Sequence, residues 1–213
     1  MTYGPDDFRK DTGVSRETLE RLERYVAVLT KWNRAVNLVG RRTMEDVWRR
    51  HILDSAQLFE HLPVQSAGRS RRVVDLGSGA GLPGLVLAAM GAGEVHLVES
   101  DQRKATFLRE AARQMDVDVE VHASRIESLP PLDADAVTAR ALAPLTDLLA
   151  YAAPLLGRDG ICLFLKGEGV EQELTRAGKA WKMTLDRIPS RSDRRGSILR
   201  IGGIGRDQTK SCG

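Results

Sequence analysis

Four glycines follow Asp75 in the run Asp75-Leu76-Gly77-Ser78-Gly79-Ala80-Gly81-Leu82-Pro83-Gly84. The apolar residues just before it read as a strand, and a parallel sheet takes its ligands at the carboxyl ends of its strands. Glycines there remove the Cβ atoms that would hold a ligand off the backbone, and Pro83 suits the first turn of a following helix, where its missing N–H is not needed. Glu99 stands 22 residues after Gly77, at the end of the next apolar run, where it can accept hydrogen bonds from ribose hydroxyls. Loop and carboxylate together suit a cofactor with an adenosine half. The plainer alternative, a turn shaped by glycine and capped by Asp75, leaves Glu99 unexplained.

Gly79-Ala80-Gly81-Leu82-Pro83-Gly84 formally satisfies G-x-G-x-x-G, a weak dinucleotide signal when it stands alone. Its phase is wrong: in the dinucleotide fold the first glycine follows the strand directly, whereas here Asp75 and an extra Gly-Ser intervene. A carboxylate at that point repels a pyrophosphate and favours a cation. S-adenosylmethionine carries an ammonium and a sulfonium and no phosphate, so it fits better than a nicotinamide dinucleotide.

The elements that must carry these residues can be read from periodicity. Leu19, Leu22, Val26 and Leu29 recur at helical spacing from Arg16 to Trp32, with Ser15 as N-cap, and a second helix is expected from Met44 to Leu62, closed by Pro63. After the polar connector 64–70, strands are expected over Arg72 to Leu76, Glu94 to Glu99, Val117 to His122, Asp135 to Ala139 and Ile161 to Lys166. Helices over Leu82 to Met90, Gln102 to Met115 and Leu145 to Leu156 alternate with them, which implies right-handed crossovers and a mainly parallel sheet. Met183 to Ile188 and Ser197 to Ile201 read as an antiparallel hairpin at its edge. The organisation is thus an N-terminal helical extension (1–70), an α/β core (71–204) and a disordered tail (205–213).

Composition sets outer bounds. At 213 residues, 42% apolar and 29% charged, the chain can bury a core without disulfides or structural metals. No apolar run suits a membrane span and the start does not resemble a secretory signal, so a cytoplasmic protein is expected. Two cysteines, Cys162 in an apolar run and Cys212 in a polar tail, make neither a disulfide framework nor a zinc site, and no metal is expected. The net charge of +3 hides an asymmetry: residues 1–72 carry 14 basic against 10 acidic side chains, 73–178 carry 9 against 16, and 179–213 carry 9 against 3. An acidic centre between basic ends suits an enzyme that offers basic surfaces to a polyanion; scattered solvated charge explains the count equally well.

The chain resembles the bacterial methyltransferases that modify N7 of a guanine in 16S ribosomal RNA, the glucose-inhibited division protein B family. The resemblance covers residues 25–202 and rests on ordered blocks: Trp32 to Gly40, Arg50-His51-Ile52-Leu53-Asp54-Ser55, Asp75 to Gly84, Glu99 to Leu108, Thr138-Ala139-Arg140-Ala141, and Lys166-Gly167. It implies a seven-stranded, Rossmann-like class I methyltransferase sheet with a helical extension, acting as a monomer on 16S RNA or the 30S subunit. It also implies that Gly77, Leu82, Ile126, Glu127 and Arg140 line the cofactor site, which Asp75, Gly79 and Glu99 join on the physical argument. An N7 lone pair attacks a sulfonium methyl without losing a proton. No general base is needed, and none is found; Arg140 could touch cofactor or substrate.

RNA contacts are expected from Arg41, Arg42, Arg103, Lys104, Arg125, Lys166, Arg194 and Arg195, in or beside the matched blocks and in the basic ends. Trp32 and Trp48 read as core rather than as stacking platforms, and His51 with Asp54 as a structural hydrogen bond rather than a metal site. Three rivals stay open. A nicotinamide oxidoreductase is disfavoured by Asp75 and by the lack of a substrate domain. A methyltransferase for another RNA, a protein or a small molecule keeps the loop, the latter two with no use for basic ends, and an RNA-binding module with a dead cofactor site requires a broken loop.

Overall fold

In the computed structural model, which describes residues 3–65 and 68–206, the chain begins with helices α1 (Pro5–Thr12) and α2 (Arg16–Trp32). Ser15 caps α2, accepting from the Thr18 N–H, and Leu19, Leu22, Tyr25 and Leu29 form its buried stripe. The second helical stretch is not one α-helix. It runs as a 3₁₀ turn (Arg41–Asp46), a π turn (Trp48–Leu53), the short α3 (Asp54–Ala56) and another 3₁₀ turn (Phe59–His61). Apolar spacing cannot tell these pitches apart, and the wide turn matters: it aims His51 at the sheet while Ile52 and Leu53 enter the core.

Strands and helices then alternate: β1 (Arg72–Leu76), α4 (Gly84–Ala89), β2 (Glu94–Val98), α5 (Gln102–Met115), β3 (Glu120–His122), β4 (Ala134–Arg140), α6 (Leu145–Ala152), β5 (Leu156–Lys166), α7 (Val170–Ala177), β6 (Trp181–Pro189) and β7 (Ser197–Arg206). One seven-stranded sheet has the order β3-β2-β1-β4-β5-β7-β6, parallel except at β7, which runs against both β5 and β6. The expected α/β sheet with an antiparallel edge hairpin is therefore present. The direction of strand order reverses between β1 and β4, and this opens a crevice at their carboxyl ends.

The two faces of the sheet have separate cores. Val73, Val95 and Leu97 face α2, α4 and α5, with Phe8 and Trp48 in the same apolar cluster; Val74, Leu76 and Val137 face α6, with Trp181 beyond. Trp48 packs on Phe8 at 5.6 Å and Trp32 on Phe107 at 5.7 Å, so both tryptophans belong to the core as expected. The helical extension shares this core with the sheet and is bonded to it, since the buried Tyr25 hydroxyl donates to the Ala80 carbonyl at 2.6 Å.

Strand β7 runs past the expected boundary at residue 205. Gly205 and Arg206 continue β7 and pair with Lys182 and Trp181, and a register shift between Lys182 and Thr184, with Gly203 at φ +59°, bends the hairpin. The run Gly202-Gly203-Ile204-Gly205 has no alternating side chains to betray a strand, and backbone pairing alone extends it. Residues 207–213, including Cys212, lie outside the described residues. Helix α7 was not expected either, because only Val170 and Ala177 of it are buried.

Candidate active site

Two cavities share a wall at the crevice. The smaller, of ≈ 330 Å³, is lined by Gly77 and Gly79 after β1, Glu99 after β2, Ser124 to Glu127 after β3, and Arg140 to Ala143 after β4. The larger, of ≈ 810 Å³, lies on the other side of the Arg140–Ala143 segment and is lined by Thr43, Arg50, His51, Asp54, Lys166 and Arg176 among others.

The small cavity is built by buried carboxylates. Glu99, 8% exposed, accepts from the Gly79 N–H at 2.9 Å with one oxygen and from the Asp101 N–H at 2.8 Å with the other. Asp75 lies beneath the loop, fully buried, where it accepts from the Thr138 hydroxyl at 2.8 Å and from the Gly84 N–H at 3.3 Å. Burial pushes its carboxyl up to about 6, against the pull of those hydrogen bonds. The loop cannot thicken: a Cβ on Gly77, held at φ +61°, would come within 2.5 Å of Leu142 Cδ1, and one on Gly84 within 2.2 Å of Leu97 Cδ2.

Arg140 ties the shared wall to the π turn. Its Nη1 donates to His51 Nδ1 at 2.9 Å and to the Arg50 carbonyl at 3.4 Å, and lies 3.6 Å from an Asp54 oxygen. A donor at Nδ1 requires the neutral His51 tautomer with its proton on Nε2, which faces Thr43 Oγ1 at 2.9 Å; that hydroxyl in turn donates to the Gly40 carbonyl. Burial and the nearby Arg140 and Arg50 charges drive His51 down to about 4. Asp54 is raised by burial, against the Ser192 hydroxyl and Arg140. The Ser192 hydroxyl donates to Asp54 at 2.5 Å and Gln57 donates to Ser190, so the helical extension also holds the β6–β7 turn.

The family model "GidB: rRNA small subunit methyltransferase G" matches residues 18–194. The chain belongs to this family. The "Ribosomal RNA small subunit methyltransferase G" of Paramagnetospirillum magneticum is 54% identical over 207 residues, 97% of this chain and 99% of that protein. The protein of the same description from Rhodospirillum rubrum is 54% identical over 202 residues, 95% and 98% of the two chains. Among solved structures, a SAM-dependent methyltransferase from Aquifex aeolicus superposes with a TM-score of 0.57 at 13% identity over 84% of this chain and 97% of that one. P. horikoshii TYW2 in complex with MeSAdo gives 0.53 at 15% identity over 72% and 62%. These likenesses show the class I methyltransferase fold.

Within the rRNA small subunit methyltransferase G family's fold, the expected cofactor residues divide. Gly77, Gly79, Glu99, Ile126, Glu127 and Arg140 line the small cavity together. Asp75 and Leu82 do not line it: Asp75 holds the loop from below, and Leu82, 3% exposed, packs in the core, its apolar side chain turned from solvent. The Asp75 carboxylate is thus committed to Thr138 and to the Gly84 N–H beneath the loop.

The expected RNA residues also separate. Arg41, Arg42 and Arg103 are exposed, and Arg194 and Arg195 are exposed around a third hollow beyond Gly196, with Arg195 bonded to Glu168 at 3.0 Å. Lys104, half-buried, and Arg125, exposed, both line the small cavity. Lys166 is no free surface cation: only 9% exposed, it donates to Glu173 at 2.7 Å and to the Ala143 carbonyl at 2.8 Å, and Glu173 also accepts from the Leu145 N–H. It pins the wall segment between the cavities. His51 and Asp54 meet through Arg140 rather than in a direct bond. Sequence reasoning missed Arg50 and Arg176 in the large cavity; Arg50 sat in a quoted block, whereas Arg176, on the unforeseen α7, gave no signal.

Proposed function

We propose that this chain transfers the methyl group of S-adenosylmethionine to N7 of a guanine in 16S ribosomal RNA, acting as a monomer in the cytoplasm. The observation that carries it is the pair of cavities meeting at Arg140–Ala143: one of nucleoside scale, the other larger, open and rich in arginine. Family membership and relatives named for small-subunit ribosomal RNA support the substrate. The donor set fits S-adenosylmethionine better than a dinucleotide, since the Gly79 N–H that a pyrophosphate would need is already occupied by the Glu99 carboxylate.

Glu99, Gly77 and Gly79 would hold the ribose side of the cofactor, Ile126 and Glu127 the base, and Arg140 to Ala143 the end nearest the substrate. The bound cofactor supplies an electrophilic sulfonium methyl. Every remaining task falls to placement. N7 of guanine has a free lone pair, so no side chain needs to remove a proton; accordingly the imidazole that lines the larger cavity, His51, has its Nδ1 lone pair turned to Arg140 and not to a cavity base. The methylated ring gains positive charge, and Asp54 beside Arg140 limits the cationic field that the wall would otherwise impose. Arg140 is read as a positioning residue for the wall. The division into a helical extension (1–70) and a catalytic core (71–204) is retained as a proposal about roles, with the extension forming part of the RNA-side cavity through Thr43, Arg50 and His51.

Incubation with methyl-labelled S-adenosylmethionine and either undermethylated 16S RNA or 30S particles tests the reading. Label should enter the RNA of at least one substrate and be lost with Glu99→Ala; label in neither rejects it.

A further inference from the structure

On the sheet edge away from the wall between the cavities, His96 of β2 and Glu120 and His122 of β3 bring three ligand-type atoms together. The strand geometry makes this unavoidable. His96 is paired in register with Glu120, and residues two apart on a strand point to one face, so His122 joins them. His96 Nδ1 lies 2.9 Å from His122 Nε2 and 3.4 Å from one Glu120 oxygen, and the other Glu120 oxygen lies 3.6 Å from His122 Nε2. Four ligands at the ~2.0–2.1 Å of zinc–nitrogen and zinc–oxygen bonds stand ~3.3 Å apart in a tetrahedron. The His96–Glu120 and His122–Glu120 separations, made by the two different Glu120 oxygens, lie close to that edge, whereas the two ring nitrogens stand at the 2.9 Å of a hydrogen bond between nearly coplanar rings, which an entering ion would replace.

The shell around the three ligands is ordered as well. His96 is almost buried, and its Nε2 faces Glu94 Oε1 at 3.0 Å, while the other Glu94 oxygen is held by Arg72 at 3.1 Å. A carboxylate that fixes the N–H on one ring nitrogen leaves the opposite nitrogen as a lone-pair donor, the arrangement that orients metal-bound histidines. Glu120 and His122 reach solvent, so an ion can enter, and the fourth position is open to water.

We propose that His96, His122 and Glu120 form a binding site for a divalent ion of the zinc class, with Glu94 as the orienting carboxylate. Its place in the fold suggests what it does. β3 is a three-residue strand at the sheet edge, and its end leads straight into Ser124 to Glu127 of the small cavity; the Glu99 N–H donates to the His122 carbonyl at 3.0 Å. An ion shared by β2 and β3 clips that edge strand and with it one wall of the cavity. The residues are separated by 24 positions in the chain, too far for a spacing motif to announce them.

The test uses the full chain without an affinity tag, stripped with chelator, and titrated with Co²⁺ alone. The visible bands of four-coordinate cobalt should rise to one equivalent with no thiolate charge-transfer band, and Zn²⁺ should abolish them. His122→Gln should remove the bands, and Glu120→Gln and Glu94→Gln should each weaken binding roughly tenfold or more. Because His122 is partly exposed, its variant should keep the wild-type far-ultraviolet dichroism. No bands with the folded wild-type chain, bands that persist in folded His122→Gln, or a thiolate band would overturn the proposal.

Discussion

Glu99 makes the most of one side chain: it fixes the glycine loop through Gly79, caps the approach to α5 through Asp101, and presents carboxylate lone pairs to the small cavity. Glu99→Ala removes charge-assisted hydrogen bonds worth about 1.5–3 kcal/mol. The expected result is a rise of roughly 10- to 100-fold in the Kd for S-adenosylmethionine by calorimetry. His51 and Asp75 make opposed predictions with pH. His51 has its pKa lowered to about 4, so between about 4 and the unfolded 6.5 the unfolded chain binds the extra proton and stability rises with pH. Asp75 is raised to about 6, so between 3.8 and 6 the folded chain binds the extra proton and stability falls as pH rises. The wild-type profile should therefore be shallow from about pH 4 to 6. His51→Gln removes only the first slope, and denaturant unfolding should show the wild type gaining on the variant by up to ~3 kcal/mol from pH 4 to 6.5. A constant difference across that range would refute the neutral, buried assignment of His51.

At the scale of elements, the loop between β1 and α4 and the segment between β4 and α6 are fitted to each other. Gly77 at φ +61° faces Leu142, so Gly77→Ala meets left-handed strain of ~1–2 kcal/mol and a steric clash besides. Cofactor affinity should fall about tenfold or more, and adding Leu142→Ala should restore only the share due to the clash. Much of this was legible beforehand because local signals and tertiary demands agree. Asp101 caps α5, accepting from the Arg103 and Lys104 N–H groups, and the helix begins and ends where periodicity put it. Gly77, Glu99 and Ile126-Glu127 came together because strand ends in a parallel sheet converge. What stayed hidden depends on three-dimensional approach: a π turn that re-aims His51, an α7 with little buried surface, and a Lys166 whose ion pair with Glu173 is invisible until α7 packs. The burial of Asp75 was equally hidden, since only the fold shows the loop closing above it.

For the molecule as a whole, the acidic centre and basic ends become a layout. The carboxylates Asp75, Glu99 and Glu127 gather at or beneath the small cavity, which Lys104, Arg125 and Arg140 also line, while Arg41, Arg42, Arg194 and Arg195 stand exposed next to Gly40, Thr43, Asp193 and Gly196 of the larger cavity. RNA affinity should fall steeply with salt, and Arg194→Glu should lower the slope of log affinity against log salt by about 1 while leaving S-adenosylmethionine binding unchanged. Filter binding over a salt series checks both halves of that statement. No helix among the described residues is long and apolar enough to cross a membrane. The most direct measurement of the central claim locates the methyl group on the purine. RNA labelled by the enzyme is digested to nucleosides and the product compared with authentic 7-methylguanosine by chromatography and mass. The label should co-migrate with that nucleoside, at one position in 16S RNA; label on an exocyclic nitrogen, a ring carbon or a ribose oxygen would refute N7 methylation.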